Sequence, residues 1–120
     1  MTMTPAFLVE ECRITSNGEG KPLPVAPAAA SIQITLGVTD ASEQSSLDVS
    51  IYTSADGETW SPKPALIFPQ RFYKGVAALL LNVEEASQVR FLRAQWKVSR
   101  WGRGSLKPEF GIYVFAGQVE

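Results

Sequence analysis

Histidine is absent from this 120-residue chain, and cysteine occurs once, as Cys12. Without histidine no Ser–His or Cys–His relay can be built, and the imidazole ligands of a zinc site are missing. A lone thiol forms no intrachain disulfide, which fits a reducing compartment. With no histidine to activate it, Cys12 reads as a small apolar residue in a strand. No apolar run approaches the roughly 18 residues of a membrane helix. The N-terminal MTMTPAFLVEEC has no basic segment before its short apolar run, so the expectation is synthesis in the cytoplasm without a secretory signal. A phosphate-cradling glycine motif, an amphipathic helix of useful length and an internal repeat are also missing. Together these absences argue against an enzyme, a bound cofactor and a βαβ fold.

What is present is ordinary for one globular domain spanning residues 1–120: 45% hydrophobic and 19% charged residues. The net charge of −1 conceals a gradient, with eight acids and two bases in residues 1–60 and four acids and nine bases in residues 61–120. Arg90, Arg93, Lys97, Arg100, Arg103 and Lys107 follow one another with no acid between them.

The clearest local pattern is LDVSIYTSADGETW, from Leu47 to Trp60. Leu47, Val49, Ile51 and Thr53 alternate with Asp48, Ser50, Tyr52 and Ser54, the period of a strand with one face buried. Asp56-Gly57 then supplies the positive φ of a tight turn, and Trp60 is placed to fold back and cap the core. Phe7–Ile14 reads as a first strand, and residues 15–27, with Pro22, Pro24 and Pro27, as an extended loop or arm. Ala28–Thr39 puts Ile32, Ile34, Leu36 and Val38 on one face, and Asp40–Ser46 reads as a turn. Ala65–Phe68 is expected at an edge among prolines; Phe72–Val83 is ambiguous on periodicity alone, and its length and neighbours favour a strand buried on both faces over a helix. Val89–Val98 points Leu92, Ala94, Trp96 and Val98 inward, and Phe110–Val119 closes the set. The spacing predicts an all-β, antiparallel two-sheet sandwich with about seven or eight strands.

Two stretches carry a resemblance. Ser54-Ala55-Asp56-Gly57-Glu58-Thr59-Trp60 resembles the S-x-D-G-x-x-W hairpin of discoidin-type jelly rolls, and Val89-Arg90-Phe91-Leu92-Arg93 resembles their "ARYVRL" strand. That likeness spans Leu47 to Val119 and implies a sandwich of jelly-roll type that serves as a module for carbohydrate or another surface ligand. It carries no binding residues over. The chain is also similar to short proteins encoded among the structural genes of tailed phages and prophages, with Arg90, Arg93 and Trp96 matching their R-x-x-R-x-x-W. This second likeness implies a virion component that decorates or cements a capsid-like shell.

Asp40, Glu43, Asp48, Asp56 and Glu58 offer oxygens for calcium, but read more simply as solvated strand and turn carboxylates, so no metal is expected. Glu10-Glu11 and Glu84-Glu85 are adjacent pairs that a strand would point to opposite faces. The basic stretch interleaves Phe91, Trp96 and Trp101 with its arginines. Such a mixture fits phosphate pairing with base stacking, a protein–protein hot spot, or simply a core Trp96 beneath a solvated face. A pI near 5.5 counts against dedicated nucleic-acid binding. In Phe110–Val119, Tyr113 and Phe115 emerge opposite Phe110, Ile112 and Val114, facing either another layer or a partner. The candidate contact residues are therefore Arg93, Lys97, Arg100, Trp101, Arg103, Tyr113 and Phe115, and the expected partners are further copies of the chain or a shell protein.

Overall fold

Period-2 alternation builds the scaffold. A computed structural model describes residues 5–25, 31–42, 44–82, 89–100 and 108–118. The described residues form nine strands: β1 (Ala6–Ile14), β2 (Gly18–Glu19), β3 (Leu23–Pro24), β4 (Ser31–Ala41), β5 (Ser45–Ser54), β6 (Leu66–Ile67), β7 (Gly75–Asn82), β8 (Phe91–Arg100) and β9 (Phe110–Gln118). One sheet has the order β1-β9-β4-β7, the other β2-β8-β5-β6, with β3 also paired to β8. Every pairing is antiparallel. Taking β2 and β3 as one interrupted lane, first pairs with last, second with second-last, and so inward to β5 with β6. That nesting is the jelly roll.

The core lies between the inner faces. Ile32, Ile34, Leu36 and Val38 of β4 and Phe110, Ile112 and Val114 of β9 pack towards Leu47, Val49 and Ile51 of β5 and Leu92 and Ala94 of β8, all buried. Burying each larger aliphatic side chain is worth about 1.5–3 kcal/mol, so this alternation is the main reason the two sheets close. Phe68, just past β6, fills the core from the side. Trp96 and Val98 are partly buried against the same cluster.

The proline-spaced segment does not stand off as an arm over its described part. β2 and β3 lie along β8, the Gly20 N–H donates to the Ala94 carbonyl (2.8 Å) and the Val25 N–H to the Arg90 carbonyl (2.8 Å). Pro22 and Pro24 lack an N–H, so they break the lane in two without lifting it from the sheet. Val25 is buried; Pro27 lies outside the described residues.

Three further expectations are revised. The turn predicted over Asp40–Ser46 is shorter, because β4 runs to Ala41 and β5 begins at Ser45; Gln44 takes a positive φ of 56° between them. The strand predicted over Phe72–Val83 is β7, and it buries one face only. Ala77, Leu79 and Leu81 pack inward while Val76, Ala78 and Leu80 are exposed, since β7 ends its sheet and the described residues place nothing over its outer face. Trp60 does not cap the core. Its bridge to Ser54 turns the indole to the outer face of the second sheet, against Arg93.

The hairpin loop itself follows the sequence. Gly57 has a φ of +81°. Its N–H donates to the buried Ser54 hydroxyl (2.8 Å), which in turn donates to the Thr59 carbonyl (2.7 Å). Asp56 accepts from the N–H groups of Glu58 and Thr59, each at 2.8 Å. These two bonds are the main reason the Asp56 carboxyl sits below the ordinary aspartate range.

Candidate assembly surface

The candidate residues divide between the two outer faces of the sandwich. On the β1-β9-β4-β7 sheet, Tyr113 and Phe115 point outward from β9, where Phe110, Ile112 and Val114 point in. Phe7 stands opposite Phe115 across the β1–β9 pairing, and their rings meet edge to face with centroids 4.9 Å apart. Phe7 also meets Tyr113 edge-on at 6.3 Å. Gly37 on β4 pairs with Tyr113, and the tyrosine ring occupies the space a Cβ at Gly37 would need. The ring therefore lies over β4 and leaves Gly37 buried beneath it.

Beside these rings β4 presents no charge, while on β1 Glu10 and Glu11 are exposed at the register shift opposite Tyr113. Thr35 pairs with Phe115 and Ala78, so one row across the sheet reads Phe7, Phe115, Thr35, Ala78. Phe7 is 49% exposed, which leaves a large apolar ring in water. At one end of the face Arg13 of β1 pairs with Asp40 of β4 (3.0 Å) and Glu109 before β9 (2.8 Å), tying three segments together. The Arg13 hydrogen bond is the main reason the Asp40 carboxyl sits below its ordinary range.

The outer face of the other sheet is polar. Arg93 of β8 lies 4.3 Å from the centre of the Trp60 ring and pairs with Glu19 of β2 at 3.2 Å. Its charge is thus partnered within the chain on two sides. Lys97 is exposed and stands opposite Asp48, which accepts from the Gln70 amide (3.1 Å). Asp48, Ser50, Tyr52, Gln95 and Lys97 line an open groove of about 300 Å³. Arg100, half-buried at the end of β8, pairs in register with Ser45. Trp101 and Arg103 lie outside the described residues. The structure therefore brings Tyr113 and Phe115 together on one face and places Arg93 and Lys97 on the opposite one.

The sequence reading passed over Phe7, Gly37 and the exposed side chains of β7. Phe7 alternates too loosely with its neighbours to be assigned a face, because β1 slips register between Phe7 and Val9 and again before Cys12. Cys12 is exposed on β1, and desolvation by its neighbours raises its thiol pKa. Among the described residues no group of three acidic, cysteine or histidine side chains is positioned to hold a metal ion. Of the carboxylates weighed for calcium, Asp40 is engaged by Arg13, Asp48 by Gln70 and Asp56 by its own turn; Glu43 lies outside the described residues.

No family model matches the chain, and no curated protein matches it either. Solved structures do. A chain in the structure of infectious bursal disease virus, strain Gt, superposes with a TM-score of 0.61 at 10% identity, over 97% of this chain and 33% of that one. A chain of the Gx strain gives a TM-score of 0.62 at 10% identity, over 95% and 30%. The protein shares its fold with these viral chains. It spans about a third of their length, and the rest of each viral chain has no counterpart here.

Proposed function

We propose that this chain is a non-enzymatic structural component of a capsid-like shell, of the decorating or cementing kind found among tailed phages and prophages. It would reside in the virion and act through protein–protein contacts. The observation that carries this reading is the aromatic cluster of Phe7, Tyr113 and Phe115 on the outside of a jelly roll whose fold recurs in virus structures. Aromatic side chains bury much area for little lost rotamer freedom, so three in contact form an anchor for a neighbouring subunit.

The test is sedimentation with particles. Tagged protein produced alongside the particles of its source strain is expected to pellet with them, and Phe7→Ser with Phe115→Ser to remain in the supernatant. Wild-type protein that stays soluble beside abundant particles overturns the proposal.

A second reading is favoured by the groove on the opposite face. Asp48, Gln95, Lys97 and Tyr52 present hydrogen-bonding groups beside an aromatic ring, a combination suited to a sugar, as the discoidin likeness implies. Glycan-array binding that is lost in Gln95→Ala, together with no particle association, would favour it.

A further inference from the structure

Large exposed apolar side chains are concentrated on one side of the sandwich. Ile67, Phe72, Tyr73, Val76 and Leu80 are between 39% and 79% exposed, and all fall between β6 and the end of β7. Ile67 stands on the outer face of one sheet and Val76 and Leu80 on that of the other; Phe72 and Tyr73, their rings 6.4 Å apart, lie on the connection. Both sheets end on this side, with β6 and β7.

Among the described residues, three of the four strand edges are protected against further pairing and one is not. An unpaired edge invites another strand unless charge, proline, a bulge or shortness prevents it. β1 carries Glu10, Glu11 and Arg13 and two register shifts. The β2–β3 lane is broken at Pro22 and Pro24 and flanked by Glu19 and Lys21. β6 is two residues long, between Pro64 and Pro69. β7 has none of these defences. Its eight residues, GVAALLLN, contain no charge and no proline and pair without a shift to β4, their one strand partner among the described residues.

We infer that β7 is an interface with a second copy of this chain, joined by antiparallel pairing of β7 with β7 about a two-fold axis. Self-pairing suits this edge because a two-fold sets each strand against its own sequence, and an uncharged strand meets no like charge there. An axis through Ala78 places Val76 opposite Leu80 of the second copy on the same outer face, so the apolar row continues across the seam. Eight residues span about 27 Å, and two stacked sheets with their outer side chains are roughly 20 Å deep. That side wall gives about 500 Å² per copy, near the lower bound for a specific interface, so a reversible dimer is expected. Ile67, Phe72 and Tyr73 would lie at its rim. The inference deepens the assembly reading by naming one partner, and rests on it only for its purpose in a shell.

Light scattering on the isolated chain, without particles, tests the pairing separately from the shell. The weight-average mass should rise from 13.1 kDa towards twice that value between about 1 µM and 1 mM. Val76→Lys with Leu80→Lys should hold it at the monomer mass, and mixing that variant with Val76→Glu/Leu80→Glu should restore the dimer through opposite charges. Because the substituted side chains are exposed, Glu10→Lys on β1 serves as the control that leaves association intact. In the wild type, amides of residues 75–82 should exchange about tenfold more slowly at the high end of the series than at the low end. A monomer throughout, or a dimer unaffected by the lysines, overturns the inference. So does a dimer whose 75–82 amides exchange at the monomer rate.

Discussion

Gly37→Ala places one methyl group where the Tyr113 ring lies. The paired strands cannot part to admit it, because β4 and β9 are joined over nine paired positions, of which Gly37–Tyr113 is an internal one. The ring must therefore swing off β4. Overpacking of this kind costs about 1–3 kcal/mol. Replacing a strand glycine recovers about 0.5–1 kcal/mol of backbone entropy, because the unfolded chain is restricted too. The difference is a destabilisation of about 0.5–2 kcal/mol, which for a domain of this size lowers Tm by about 2–8 °C. Thermal unfolding by circular dichroism reads that shift. The cause is isolated by repeating the substitution in a Tyr113→Ala background, where the methyl group has room. There Gly37→Ala should be neutral or stabilising, giving a coupling of about 1 kcal/mol between the two sites. Equal losses in both backgrounds would refute the account, since the cost would then have nothing to do with the ring. Gly37→Ala is also expected to weaken particle association, because it displaces the Tyr113 ring without removing it from the chain.

Ser54→Ala strips the hairpin of the hydroxyl that serves both Gly57 and Thr59, and should cost about 1–3 kcal/mol, read as a lower urea midpoint with an unchanged m value. Trp60→Leu removes the ring beneath Arg93 and should cost about 1 kcal/mol, a Tm loss of about 4 °C, with Trp60→Phe intermediate; equal Tm values for all three would rule out the stack. Asp40 and Asp56 both sit below their ordinary range in the folded state, so their contribution is complete above the unfolded aspartate value and is lost as pH falls through the lowered one. Stability should therefore drop below about pH 4, and Arg13→Ala should flatten the part due to Asp40 in urea titrations at successive pH values.

The inner half of the fold was legible because burial and alternation report the same thing. Ile32, Ile34, Leu36 and Val38, or Leu47, Val49 and Ile51, announce a strand and its buried face at once. Tyr113 and Phe115 were legible as outward residues for the same reason, once Phe110, Ile112 and Val114 were set inward. What the sequence hid was position within a sheet. GVAALLLN is apolar throughout, and only its place as the last strand beside β4 shows that Val76, Ala78 and Leu80 face outward and uncovered. Arg93 illustrates the converse. Its charge suggested an outside partner, but Trp60 and Glu19 lie far from it in sequence and reach it through the pairing of β5 and β2 with β8 and its neighbours. A sequence window has no access to such contacts.

The place of β9, between β1 and β4, bears on how the protein is made. A ribosome delivers β1 and β4 long before the strand that joins them, and translation at about 5–20 residues per second leaves both waiting for several seconds. During that interval β4 can gain β7 on one side, but the place between β1 and β4 stays empty even after β8 has completed the opposite sheet. Closure of that sheet must therefore follow the synthesis of β9, whose pairings with β1 and β4 span most of the chain.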